Sequence, residues 1–415
     1  MRMQLRDAIG DIWLSSDLMD DFEAICDTGG RVAGTPSEEA ARAYLRTRLG
    51  ALTDDVTEHA FTVEGLSSQS HAVRIPDAGR SAVLESYPLL NTPSVDGRFA
   101  VIDLGQGTPA DFAAAGSAIE GKAVLVRHEF PFSTGHVHRG VKYALAKEAG
   151  AAAFLIGNNQ PGAGPVSGSA GSDAPDDIPG FGLSFDAART LSTLLAAHDQ
   201  EIELVNVARR HTWTGRNLIA RFPGTGEKHV VLSAHIDGHG LAESAMDNAS
   251  GLVTVLETAR RLGEYARSQR IGLTVALFTF EEWSLTGSAR WLADLGEQDR
   301  ARILCNINVD TPVGYPRVFG LTASDPLIRD LLREATSLGG TPIHQIPAYT
   351  SNSDHYNFLE AGIPAVRLIG GYNDPAATSR LLLTAQDVRG RVEPLDLRHA
   401  AIVTTTIVWQ ALQRG

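Results

Sequence analysis

After Arg209 the chain alternates short apolar runs with amphipathic stretches. NLIARF, HVVLSAH, GLTVALFTF, ILCNINVD and IPAVRLIG stand among GLVTVLETARRL, SARWLADL, PLIRDLLREATSL and a closing LRHAAIVTTTIVWQAL. Near-continuous apolar strands stay out of water only when helices cover both faces of the sheet they form, and such sheets are mostly parallel. The expected fold is therefore α/β, a mostly parallel mixed sheet with helices on both faces. Three of the runs end in acids or histidine: His235 and Asp237, Glu281 and Glu282, and Asp310. Ligand crevices in open α/β sheets lie beyond the carboxyl ends of the strands, so these side chains are candidates for a shared site.

The segments before Arg209 read differently. Residues 1–95 begin with two helices separated by the Gly-rich turn GGRVAGT. Residues 96–208 carry short strands and glycine-rich loops, with NNQPGAGPVSGSAGSDAPDD expected to be a mobile surface loop and its part from Gly162 to Asp177 a candidate lid. Residues 209–415 hold the regular α/β pattern. The first residues intersperse acids and arginines through their apolar positions, which reads as a mature amphipathic helix. Cys26 and Cys305 are the only cysteines. Two are too few for a disulfide framework, and the expected compartment is the reducing cytoplasm. A net charge of −13 argues against a nucleic-acid partner. No apolar run approaches the roughly 20 residues that span a bilayer, so no membrane partner is expected. A homo-oligomer is left open, with the inserted segment as a subunit contact.

His235 and Asp237 are two apart at a strand end, so their side chains leave on the same side. That suits a metal-ligating imidazole with a carboxylate nearby. Asp247, in MDNASG, is placed to bridge two cations, to ligate one, or to cap the following helix. Adjacent carboxylates after a buried run are costly unless a positive charge sits beside them, which a metal supplies at Glu281 and Glu282. The first then suits a general base and the second a ligand. Asp310 ends another buried strand, and SNSDHYNFLEAGIP brings Asp354 and His355 ahead of a further one. Tyr349, Asn352, Tyr356, Arg367 and Arg380 are the candidate pocket residues, an arginine there holding a substrate carboxylate bidentately. Trp283 either lines the pocket or packs beneath it, and His239 and Glu243 occupy the loop between the first candidate ligands.

HIDG, DNASG, FEEWSLTGS, INVD and SDHYNFLEAGIPAV occur in the order and setting seen in the co-catalytic zinc aminopeptidase family, which this chain resembles over about Asn217 to Asp387. Glutamate carboxypeptidase, glutaminyl cyclase and the transferrin receptor belong to the same family. GRVAGT extends the likeness, and residues 96–208 resemble its inserted protease-associated domain, a smaller β-rich unit, through K-x-x-x-A-x-x-x-G-A before an apolar strand. The resemblance makes residues 1–95 and 209–415 two parts of one catalytic domain. It implies that His235 and Asp310 hold one metal, that Asp247 bridges to a second held by Glu282, that Glu281 is the general base, and that Asp237 steadies a ligand. The reaction implied is attack of a metal-activated water on the amide bond of a small peptide or amide. The family's last ligand is a histidine in a His-Thr-x-x-Asp phrase, and Leu383 stands in its place, with Thr384 and Asp387 present. Either one metal is used, or His355 or His239 has moved in. Zinc is the expected metal, with manganese, cobalt and iron open. The function implied is an aminopeptidase-like metallohydrolase. A single-metal hydrolase of a non-peptide amide or amine, and a silent binding homologue, are the alternatives.

Overall fold

The computed structural model describes residues 4–76, 82–172, 174–314, 317–347 and 349–414. The chain divides into two units. One contains Met1–Thr62, Thr214–Leu382 and Asp387–Gly415; the other contains Val63–Trp213 and Leu383–Gln386. These borders differ from those expected at 96 and 209. The reason is that Val56–Ile75 and Glu201–Phe222 each run as one strand from one unit into the other. IELVNVA and NLIARF, which read as separate strands, are the two ends of Glu201–Phe222, joined by a half-exposed stretch whose polar residues hide its continuity.

In the first unit the sheet order is His344–Ile346, Val318–Leu321, Ala365–Gly370, Ile303–Val309, His229–His235, Gly272–Phe278 and the end of Glu201–Phe222. The four pairings through His344, Ala365, His229 and Gly272 are parallel. Val318–Leu321 pairs antiparallel with Ala365–Gly370, and the end of Glu201–Phe222 pairs antiparallel with Gly272–Phe278. The sheet is mixed, as the alternating pattern predicts. From Val230 onward every residue of His229–His235 is buried, which requires cover on both faces. Ser250–Arg267 packs on this strand and on Pro394–Leu412. Trp291, Leu292 and Phe358, from helices Thr286–Asp294 and His355–Glu360, close over Ile219, Val231, Ala276, Phe278, Ile303 and Ala365. Each large apolar side chain so buried contributes about 1.5–3 kcal/mol before the entropy of ordering is counted.

The N-terminal stretch makes three helices rather than two: Leu5–Leu14, Asp17–Cys26 and Pro36–Gly50. Extended backbone at Ser15 (ψ 121°) breaks what the apolar pattern reads as one helix. Asp21 is buried between the elements: its carboxylate lies 2.7 Å from an Arg260 nitrogen and 2.8 Å from Arg48 Nε, and accepts the Tyr44 hydroxyl at 2.6 Å.

In the second unit Val95–Asp103, Ala123–Arg127, Ala153–Gly157 and Gly180–Leu183 form a parallel sheet, extended antiparallel by Ser86–Pro88. Leu125, Leu155, Phe181, Leu191 and Ile202 make its core. The glycine-rich stretch 158–177 is not the surface loop its composition predicts. Ala163, Val166 and Ser167 are buried, Asn158 Nδ2 donates to the Gly164 carbonyl at 2.8 Å, and the Gly168 carbonyl accepts the Leu90 amide. A Cβ on Gly182 would stand 1.7 Å from the Val166 carbonyl oxygen, so glycine there is what lets the loop lie down on the sheet. Asp173, part of the same expected loop, lies outside the described residues.

Candidate active site

His235 ends its buried strand with Nδ1 3.0 Å from the Asp237 carbonyl oxygen. That contact assigns the Nδ1 proton and turns Nε2 toward Asp247 Oδ1 at 3.1 Å and Asp310 Oδ1 at 3.5 Å. Asp247 sits in the irregular turn Ala245–Ala249, which feeds Ser250–Arg267. The Asp387 carboxylate accepts the Met246 and Asp247 amides at 2.7 and 3.3 Å, fixing the backbone that carries the ligand. Asn248 joins the turn to the neighbouring strand end: its Nδ2 donates to the Val309 carbonyl, and its Oδ1 accepts the Gly251 and Thr311 amides. The DNASG phrase is thus a brace that holds Asp247 against Asp310.

Asp310 is held from behind. Its Oδ2 lies 3.0 Å from an Arg367 nitrogen and accepts the Ser353 hydroxyl, while Ser353 Oγ accepts Asn308 Nδ2 at 2.7 Å. Oδ1 accepts the Thr311 hydroxyl at 3.1 Å and is the oxygen that faces His235 Nε2, at 3.5 Å. Arg367, expected to hold substrate, is 2 % exposed and spends its charge on Asp310; its Nη1 donates to the Asn352 carbonyl. A basic residue in an apolar strand such as IPAVRLIG signals a buried partner, and here the partner is a candidate ligand.

Asp237 works differently from the expectation drawn from HxD spacing. Its carboxylate is 3.9 Å from His235 Nδ1 and instead accepts the amides of Glu281 at 3.1 Å and Glu282 at 3.2 Å. It thereby orients the paired glutamates. His239 Nε2 approaches Glu282 Oε1 at 2.6 Å. Glu243 is engaged by the Arg389 amide and Nε at 2.7 and 3.0 Å. Trp283 is buried with its ring edge-on to Phe280, 5.9 Å between centroids.

Sequence reasoning missed Arg31. This fully buried arginine donates to the carbonyls of Ile236, Glu243 and Ser244, at 2.9, 2.7 and 2.7 Å, and its own carbonyl accepts the Gly238 amide. It staples the loop between the first candidate ligands to the Gly-rich turn. The one signal for it in the sequence is an arginine set inside GGRVAGT.

Three overlapping groups bring ligand atoms within 4.8 Å of one another: His235, Asp247 and Asp310; His235, Glu281 and Glu282; and His239, Asp247 and Glu282. His355 belongs to none of them; it is buried, with Nε2 3.2 Å from Thr350 Oγ1. Tyr349 is exposed, its hydroxyl on Glu360 and its ring 5.5 Å from that of Tyr356. Arg380 lies in the short turn Thr378–Leu381.

The electrostatics call for a cation. Burial raises the Glu281 carboxyl well above its ordinary value, with Glu282, Asp310 and Asp354 adding and His235 opposing. Burial likewise pushes Asp237 up to about 8. Burial opposes charge on His235, but Glu281, Asp247 and Asp310 outweigh it and hold the imidazolium well above the usual range. Against burial, Arg367 and His235 hold Asp310 below the carboxylate range. The buried Nε2 of His235 and Oε1 of Glu282 make no hydrogen bond of acceptable geometry, although oxygen or nitrogen atoms crowd them. The His235 imidazole nitrogen and the carboxylate oxygens that converge on it form a donor set that fits a divalent metal.

Residues 217–392 match the model of peptidase family M28, and residues 85–191 match the PA domain. Leucine aminopeptidase 2 of Trichophyton rubrum is 27% identical over 266 residues, 61% of this chain and 51% of its own length. The chain thus spans about half the length of the curated relatives it matches. The fold is shared with the peptidase M28 precursor from Shewanella amazonensis, at a TM-score of 0.80 and 18% identity over 99% of this chain and 96% of that one. A zinc aminopeptidase from Bacillus subtilis matches at a TM-score of 0.73 and 22% identity, over 96% and 95% of the two chains. The strand-end acids and the braced Asp247 turn thus fall within a segment, residues 217–392, that matches peptidase family M28, and residues 85–191 match a PA domain.

Proposed function

We propose that this chain is a metal-dependent exopeptidase that releases residues from the amino ends of peptides. The observation that carries the reading is the buried Glu281, held by Asp237 beside the His235, Asp247 and Asp310 group. The relatives named leucine aminopeptidase and zinc aminopeptidase support the substrate class and the metal. A bound metal supplies Lewis-acid polarisation of the scissile carbonyl and lowers the pKa of a water. His235, Asp247, Asp310 and Glu282 would hold it. Glu281 takes the proton of the attacking water and delivers it to the leaving nitrogen. Asp237 holds the backbone amides of Glu281 and Glu282, so that Glu281 would serve the water and Glu282 would serve the metal. Arg367 and Ser353 hold Asp310 Oδ2, and Oδ1 faces His235. A carboxylate-rich crevice also attracts the protonated α-amine of a peptide. Cys26 and Cys305, both buried and without a disulfide, suit a reducing compartment, and the cytoplasm is the location proposed.

The test is hydrolysis of L-leucine p-nitroanilide beside its N-acetyl derivative, before and after chelation and zinc return. Cleavage of the free-amine substrate alone, lost with chelator and restored by zinc, is expected. Equal cleavage of the acetylated compound would refute the amino-end specificity, and activity indifferent to chelator would refute the metal.

A further inference from the structure

We propose that His239 supplies the nitrogen ligand that Leu383 withdraws, so that this site takes two metal ions: one on His235, Asp247 and Asp310, the other on His239, Asp247 and Glu282. The inference rests on the metallopeptidase reading of the same site and deepens it.

The sequence places His239 four residues after His235, in the loop His-Ile-Asp-Gly-His that leaves the strand end. It is 3% exposed. Its backbone is fixed independently of its side chain: the amide donates to Ser244 Oγ at 2.9 Å, and the carbonyl oxygen lies where a Cβ on Gly30 would be only 2.0 Å away. Arg31 holds the carbonyls of Ile236, Glu243 and Ser244 on either side. The loop therefore presents its imidazole from a braced frame, as a ligand must be presented for affinity not to be spent on ordering it. That imidazole meets Glu282 Oε1 at 2.6 Å, and its ligand atom lies within 4.8 Å of those of Asp247 and Glu282. Asp247 also belongs to the His235 group, so its carboxylate is the residue common to both positions. Leu383 offers no donor side chain; it has φ of 63°, and its carbonyl accepts the Ser167 amide. His355 is outside every ligand group, which leaves His239 as the imidazole beside Glu282 among the described residues.

The contrary reading is that His239 is only the ion-pair partner of Glu282. The two differ in stoichiometry. Zinc per chain is measured by inductively coupled plasma mass spectrometry after dialysis of the full-length protein against micromolar zinc and then metal-free buffer, with cobalt absorption as a second readout. Two ions are expected for the wild type, and one for His239→Ala, His239→Gln and Glu282→Gln. Metal-free thermal melts of each variant check the fold, and either His239 variant that keeps the wild-type melt carries the result. Leu383→His should stay at two. Two ions retained in a folded His239 variant overturn the inference, as does a wild type with one ion that gains a second in Leu383→His. A wild type without metal overturns it together with the hydrolase reading. Two ions, one of them lost with His239, in a protein that cleaves no aminoacyl amide would leave this inference standing and sink the proposed activity. Hydrolysis by a one-metal protein unaffected by His239→Gln would do the reverse.

Discussion

Replacing Arg367 by methionine tests how the site is built from behind. The guanidinium and the Asp310 carboxylate are both 2% exposed and 3.0 Å apart. At an effective dielectric of about 20, the attraction at that distance is about 5 kcal/mol. Methionine matches the stem of the side chain but leaves Asp310 Oδ2 with only the Ser353 hydroxyl, and it removes the donor to the Asn352 carbonyl. Truncating one partner of a buried ion pair costs about 3–5 kcal/mol, because the remaining charge stays desolvated. For a unit of this size that lowers the melting midpoint by roughly ten degrees in the metal-free protein. With zinc bound, a cation beside Asp310 Oδ1 offsets part of the stranded charge, so the variant should lose less stability in zinc than in chelator. Differential scanning calorimetry in both conditions reads the difference. A loss below about 1 kcal/mol in chelator would refute the argument. A variant of unchanged stability whose KM rises only for peptides with a free carboxylate would restore the role that the sequence suggests for Arg367.

Three further outcomes follow from buried groups. Asp21→Ala removes the carboxylate that Arg260, Arg48 and the Tyr44 hydroxyl share, but Arg260 keeps Glu257 and Arg48 keeps Asp17, so it should cost about 1.5–3 kcal/mol by urea titration, and a cost under about 0.5 kcal/mol would contradict the burial argument. Burial pushes the Cys26 and Cys305 thiols from an ordinary 9.0 up to about 12. The folded state holds these protons longer than the unfolded chain, so the stability involved is complete below pH 9 and is lost as pH rises toward 12. Each thiol contributes a slope of up to about 1.4 kcal/mol per pH unit, and Cys305→Ala should make the alkaline limb shallower. For the same reason neither cysteine should react with a disulfide reagent at about pH 8 until the protein unfolds; rapid labelling of the native protein would refute this.

The strand-end acids are legible in the sequence because a carboxylate closing an apolar run of about seven residues in a buried sheet persists only beside a cation or strong donors. DNASG is legible as a turn, although its bracing of Asp310 through Asn248 joins residues about sixty apart, which no local pattern encodes. The same limit hides Arg31, whose partners lie more than two hundred residues on, and the tie between Ser353 and Asp310. Glu201–Phe222 reads as two strands because its middle alternates exposed polar residues that imitate a linker. The stretch 158–177 reads as loose because composition counts apolar area, whereas its order comes from backbone hydrogen bonds and glycine contacts. His239 and His355 are equivalent in sequence as replacements for the missing histidine; three-dimensional placement beside Glu282 separates them.

Whether Glu281 is the base of a metal-loaded site is tested most directly by the turnover of Glu281→Gln on L-leucine p-nitroanilide, with the metal content measured on the same preparation. Glutamine preserves the backbone held by Asp237 and removes only the proton acceptor. A fall in kcat of about 10²–10⁴-fold is expected, with zinc stoichiometry unchanged. Wild-type turnover in a metal-replete Glu281→Gln protein would contradict the assignment.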